Sequence, residues 1–287
     1  QRRPARLATP VPRGDNARMR IALGLSYDGA PFHGWQSQPS GNTVQDRLER
    51  ALEAVAGTSV RVRGAGRTDT GVHALGQVAH FDSDVVRPLS AWVRGTNAHL
   101  PDAIAVHWAQ EVGAEFDARF SARARRYTYV LYNDPVRPSV FAGLTGWFHA
   151  PLDAALMNDA AQVLVGRHDF SAFRAAECQA NTPVRTITSL VVRREGPYVL
   201  LDVCADAFLH HMVRNLVGSL VYVGSGRCPA AWLGEVLASR ERARAAPTFA
   251  ASGLYLAEIT YESGWSLPAF PRIMPFLPPG KIGRAHV

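Results

Sequence analysis

The stretch "AFLHHMVRNLVGSLVYVG", residues 207–224, constrains the fold more than any other part of the chain. Phe208, Met212, Leu216 and Leu220 recur at helical spacing, and Val213, Val217 and Val221 widen the apolar surface beside them. A helix that is apolar on most sides has to be buried. Arg214 stands in its middle. A guanidinium in such surroundings is costly without an anion. The fold must therefore deliver a carboxylate from elsewhere, for which Asp69 is the candidate, or let the side chain snorkel to the surface. Burying this helix requires a sizeable core, and a chain of 287 residues that is 47% hydrophobic can build one.

Around that helix, strand and helix signals run through two similar rounds. The first opens with the strand "RIALGLSYDG" and a Gly/Pro-rich loop. A helix follows, with Thr43 as N-cap and Val44, Leu48, Ala51, Leu52 and Val55 on one face. Two strands, "VRVRGAG" and "QVAHFDS", and the helix "LSAWVRGTNAHLP" complete it. The second round runs through the strand "RRYTYVLYN", the helix "LDAALMNDAAQVLVG" and a hairpin turning at Glu195-Gly196-Pro197. The helix that carries Arg214 and the strand "SGLYLAEITYE" close it. This grammar predicts an α+β fold: two similar split-βαβ halves, ferredoxin- or RRM-like, sharing a mostly antiparallel central sheet with helices packed on it. Residues 1–18, rich in Pro and Arg, read as a disordered arm. Residues 19–105 form the N-terminal half, 106–263 the C-terminal half, and 264–287 a Pro-rich tail. The stretch from about 105 to 125 reads as the connector.

Between the two middle strands of the first half lies "GAGRTDTGVHALGQVAHF", residues 64–81. Gly64, Gly66 and Gly71 permit tight turns and close approach to a ligand. Arg67, Asp69 and His73 make the loop more polar than a plain connector needs, which marks it as a site. Asp-Thr-Gly is also the signature of aspartic proteases, where two carboxylates share a proton. Only one copy occurs here, so a homodimer would have to supply the second, and a nearby arginine would keep Asp69 ionised and spoil the sharing. Asp69 interrupts any Gly-x-Gly-x-x-Gly pattern, and Val72 stands where a Walker loop needs lysine.

Composition narrows the partners. The formal net charge is +7. Lys281 is the one lysine, so the positive charge is almost all arginine, the residue suited to gripping phosphates. Three distant cysteines, Cys178, Cys204 and Cys228, argue against a disulfide framework or zinc cluster and fit a reducing cytoplasm. His210 and His211 are adjacent, so on a helix they point to different faces and suit a shared metal poorly; no metal is expected. No run of 18 apolar residues suggests a membrane span, and the N-terminus lacks an apolar signal core. In "FSARARRYTYV", Arg125, Tyr127 and Tyr129 share one strand face, with Arg123 and Arg126 adding charge. Interleaved arginine and aromatics suit phosphates and stacked bases, although Tyr129 reads as core filler.

Several motifs together give the chain a resemblance. "GRTDTGVHA", with Thr70 where Ala is commoner, is similar to the signature of the tRNA pseudouridine synthase A family. "YDGAPFHGWQSQ", "NTVQDRLERAL", "LPDAIAV", "FDARFSARARRYTY", "GRHDFSAF", "RTI", "FLHHMVRNLVG" and "APTFAASGLYL" follow in the family's order, over about residues 20–262. The resemblance implies that Asp69 is the catalytic aspartate and that Arg214 pairs with it. It implies that Tyr127 packs on the target base and that Arg67 helps extrude the uridine; Arg123, Arg125 and Arg126 are candidates for the RNA backbone. It further implies isomerisation of uridine to pseudouridine at positions 38, 39 and 40 of the tRNA anticodon arm, without cofactor, by a cytoplasmic homodimer. A non-catalytic RNA-binding module on the same scaffold and the dimeric aspartic protease are the alternatives.

Overall fold

The computed structural model describes residues 18–270. The expected arm lies outside the described residues except for residue 18, and so does the tail beyond residue 270. The first half comprises β1 (Met19–Tyr27), α1 (Val44–Ala56), β2 (Arg63–Gly64), β3 (His73–Ser83), α2 (Leu89–His99) and β4 (Ile104–Val112). The second half begins with β5 (Ala122–Asn133), β6 (Gly146–Phe148), α3 (Ala154–Ala161) and β7 (Gly166–Asp169). It continues through β8 (Val184–Glu195), β9 (Tyr198–Ala205), α4 (Met212–Gly224), α5 (Ala231–Ser239) and β10 (Leu254–Tyr261).

All these strands join one sheet in the order β4-β1-β3-β10-β5-β9-β8-β7, with β2 beside β3 and β6 beside β5. Each half repeats one pattern. In the first it is β4-β1-β3-β2 and in the second β10-β5-β9-β8, the split-βαβ order expected from the sequence. The halves meet where β10 runs parallel to β3, pairing Tyr255 with His73 and Leu256 with Ala74. The main core lies on the helix-covered face and draws on all five helices; a smaller cluster of Val130, Leu200 and Tyr255 belongs to strands alone. No helix among the described residues is long and apolar enough to cross a membrane.

Local signals explain most elements. Thr43 caps α1 as expected, its hydroxyl accepting the Asp46 N–H, and Gly57 closes the helix in the left-handed region. Two expectations need correction. The supposed connector contains β4, which pairs along β1 from Arg20 to Tyr27, so the boundary placed at residue 105 falls inside a strand. An edge strand buries only part of its side chains, and its apolar signal is correspondingly weak: Ile104 and Val106 are buried, and the rest are half-exposed or exposed. The second correction concerns α4, which starts at Met212, because His211 adopts φ 60° and breaks the helix there. Part of the Pro-rich tail is ordered against the core: Trp265 packs edge-on to Phe116 at 5.0 Å and Phe270 meets Trp108 at 5.6 Å.

One buried histidine in β3 gives the fold a pH dependence. His80 Nδ1 accepts the Ala118 N–H at 3.0 Å. Burial is the main reason its pKa lies below the ordinary 6.5, against an opposing pull from Asp117. The unfolded chain therefore binds this proton more readily than the folded one. The resulting stability is complete above about pH 6.5 and is lost as the pH falls through the lower folded value. Urea denaturation at pH 8 and pH 5 should show the wild type losing more stability on acidification than His80→Gln, whose amide oxygen can accept the same N–H without titrating.

Candidate active site

The loop between β2 and β3 sits at the seam between the two halves. One edge of β3 pairs with β10 at His73 and Ala74, and with β2 at Ala79 and His80. The loop leaves the sheet where these partners change, and hydrogen bonds pin both of its flanks. The Gln77 amide clamps Gly66, donating to its carbonyl at 2.7 Å and accepting its N–H at 3.3 Å. Thr68 is buried; its hydroxyl bonds the Tyr27 phenol at 2.8 Å, and its carbonyl accepts the Trp35 N–H at 3.0 Å. The Val72 N–H closes a turn on the Asp69 carbonyl, with Gly71 at φ 77° in the position where a type II turn needs a positive φ. Thr70, the one departure in the signature, is exposed in that turn, where an added hydroxyl and methyl displace no core side chain. His73 belongs to the core, stacked on Tyr255 at 4.7 Å with Nε2 at 3.0 Å from the Ser252 carbonyl.

Arg214 reaches this loop from the other half. Eleven of the thirteen residues of α4 are buried, as the sequence requires. At Gly218 a Cβ would stand 2.3 Å from the Pro247 carbonyl oxygen, so only glycine lets that loop approach. The close approach brings in Phe249, whose carbonyl accepts Arg214 Nε at 2.8 Å. The buried Asn215 braces the same loop by accepting from the Thr248 hydroxyl at 2.7 Å. Held in this way, Arg214 NH1 lies 3.1 Å from Asp69 Oδ2. The guanidinium has found its anion and does not snorkel.

Two further groups flank the carboxylate. His210 Nε2 lies 3.2 Å from Asp69 Oδ1, and His211 Nε2 lies 3.4 Å from Oδ2. The two rings are 4.0 Å apart. The helical-face expectation for this pair is overturned, because α4 begins after them and the left-handed His211 turns both rings toward Asp69. Burial is the largest influence on His211 and lowers its pKa, against the pull of Asp69. Together Asp69, His210 and His211 bring ligand atoms within 4.8 Å of one another, the one such group among the described residues. The carboxylate already carries a guanidinium, which counts against a second cation there. The single sequence signal for these groups was a polar pair breaking an otherwise apolar run.

Tyr127 on β5 is 8% exposed and meets Phe208 edge-on at 5.1 Å, and both line the same cleft as Asp69. Burial, with Tyr27 and Asp69 adding, pushes its phenol above the usual range, so it stays neutral. The cleft is about 1250 Å³, larger than the pockets of about 300–1,000 Å³ that enclose small ligands. Six arginines line it (63, 67, 119, 125, 185 and 214), against the carboxylates of Asp69 and Glu177.

The other arginines singled out in the sequence separate. Arg67 is exposed in the cleft and makes no hydrogen bond or ion pair with the described residues. Arg125 lines the cleft but is a brace, donating to the carbonyls of Ala65, Arg119 and Asp206. Arg126 points from the other strand face, with Nε 3.6 Å from Glu258. Arg123 pairs with Glu262 and does not line the cleft. Among the described residues no second carboxylate touches Asp69; its partners are Arg214, His210 and His211. The shared-proton pair of an aspartic protease has no counterpart among the described residues.

Comparison with known proteins gives one answer. A family model described as tRNA pseudouridine synthase matches residues 25–121 and 160–262. The tRNA pseudouridine synthase A of Thiobacillus denitrificans is 59% identical over 258 residues, which is 90% of this chain and 99% of that protein. Those of Aromatoleum aromaticum and Ralstonia nicotianae are each 57% identical, covering 89% and 88% of this chain and 97% and 93% of theirs. Among solved structures, a chain of an H/ACA ribonucleoprotein bound to a substrate RNA containing 2'-deoxyuridine is 10% identical with a TM-score of 0.31, covering 82% of this chain and 45% of that one. That likeness is too low to carry weight.

Arg214→Met should leave the Asp69 charge short of its main partner. Side-chain exposures of 16% for Arg214 and 20% for Asp69 place the pair below full burial. The expected loss of stability is therefore about 1–3 kcal/mol, short of the about 3–5 kcal/mol for a fully buried pair. Adding Asp69→Asn in the same chain should recover part of it, since no unpaired charge then remains. Thermal or urea unfolding of the four members of this cycle measures both.

Proposed function

Because the chain belongs to the tRNA pseudouridine synthase A family, we propose that it isomerises uridine to pseudouridine at positions 38, 39 and 40 of the tRNA anticodon arm. The observation that carries this is Asp69, paired with Arg214 at 3.1 Å in a cleft lined by arginines. The reaction breaks the C1′–N1 bond of uridine and joins C1′ to C5. N1 gains a proton and C5 loses one, so the atoms balance and no redox cofactor or energy donor is required. A carboxylate serves such a step as nucleophile or as base toward the 2′ position of the sugar. Both roles need the ionised form.

Reaching the target base requires taking it out of its stack, at a cost of a few kcal/mol. Tyr127, neutral and held edge-on by Phe208, offers a ring face that returns about 1–3 kcal/mol of that. Arg67, exposed in the cleft and without a protein partner among the described residues, fits the extruded nucleotide's phosphate or the space it vacates. Arg125 contributes by holding the catalytic loop against β5. Binding that rests on arginine–phosphate contacts weakens with salt. We extend the same reading to a cytoplasmic homodimer with tRNA laid across both subunits. In support, the segment 136–147 exposes Val136, Val140, Phe141 and Trp147.

Asp69→Asn decides between this reading and a non-catalytic RNA-binding module. Pseudouridine mapping on tRNA, incubated with the purified variant and no additives, should show conversion reduced about 10³-fold or more. Affinity for the same tRNA should stay within about threefold, because phosphate contacts dominate it. Wild-type conversion by the Asn variant would refute the catalytic assignment.

A further inference from the structure

Phe120 is a large aromatic side chain left 73% exposed. Of the large apolar side chains exposed among the described residues, it alone lines the cleft. The loop that presents it is firmly held. Asp117 Oδ1 accepts the N–H groups of Arg119 and Phe120 at 2.8 and 3.0 Å, and its Oδ2 takes Arg63 NH1 at 2.7 Å. On the next residue, the Ala118 carbonyl accepts the Tyr261 hydroxyl at 2.6 Å. Arg125 NH2 then ties the Arg119 carbonyl, at 2.7 Å, to the Ala65 carbonyl, at 3.1 Å. Through that one guanidinium, the Phe120 loop is fixed relative to the loop that carries Asp69. A rigid loop that holds an aromatic ring in water forgoes its burial, and the core has no need of this ring.

The ring's surroundings indicate what it binds. The Arg119 guanidinium lies 5.4 Å from the ring centroid, and Arg63, Arg67 and Arg125 line the same cleft. A flat apolar face among cations that track a polyanion is the arrangement that stacks nucleobases. Extruding a nucleotide also leaves the base beside it with one face unstacked. We propose that Phe120 is a second nucleobase platform, stacking on the base next to the extruded uridine and closing the face that extrusion opens. This rests on the RNA reading above and assigns a separate subsite to Phe120, distinct from Tyr127.

The test compares Phe120→Leu with Phe120→Trp in direct tRNA binding. Leucine keeps the bulk and apolarity but has no flat face. Its affinity for tRNA should fall about tenfold or more, with thermal stability unchanged because the side chain packs in no core. Tryptophan should restore affinity to within about threefold of wild type, and the emission it adds over the wild-type signal should be quenched as tRNA saturates. Leucine binding as tightly as wild type overturns the proposal. So does equal weakening in both variants with unquenched emission, since that describes a steric role and no stack. Uridine conversion by the wild type, measured in parallel on the same tRNA, tests the enzymatic reading separately, so failure of one does not mask failure of the other.

Discussion

A guanidinium from α4 and a carboxylate from the loop before β3 meet at 3.1 Å across the junction of the two halves. Both side chains are largely withdrawn from water, at 16% and 20% exposure. Arg214 sits in a helix whose other residues are almost all buried, and Asp69 projects from a loop whose backbone is held by Val72 on Asp69, Trp35 on Thr68 and Gln77 on Gly66. Each charge lowers the cost of holding the other, and the pair faces the arginine-lined cleft. The rest of the structure serves to bring these two groups together: the close contact at Gly218, the Phe249 carbonyl on Nε, and the Gln77 clamp on Gly66.

The site's position follows from how two split-βαβ units share a sheet. Each unit alone would end in an exposed strand edge. Joining β10 to β3 removes two edges, but β3 cannot pair with β10 and β2 along the same residues. Where the partner changes, the chain must leave the sheet, and that departure places Asp69 above the seam. The second half supplies Tyr127 from β5 and Arg214 from α4, so neither half holds a complete site.

Charge is distributed on the same plan. Arginine is plentiful throughout, yet its roles divide by direction along the strand and by available partners. Adjacent residues on β5 point to opposite faces, so Arg125 braces the cleft while Arg126 faces Glu258. Arg67 has no protein partner among the described residues and stays available to a ligand. Sequence position alone could not sort these three.

The amino-acid sequence by itself determined the α+β class, the repeated grammar of the halves, the Thr43 cap and the burial of the Arg214 helix, because these depend on local spacing and on hydrophobic periodicity. It also determined that Arg214 needs an anion or a route to the surface, and that Asp69 lies in an unusually polar, glycine-rich loop. Only the tertiary structure decided that these two meet, that His210 and His211 both turn toward the carboxylate, that β4 completes the first half, and that Arg125 is a brace. Those outcomes depend on residues distant in the chain, on one left-handed backbone position at His211, and on which edge of β3 each neighbour occupies. Short-range periodicity carries no information about any of them.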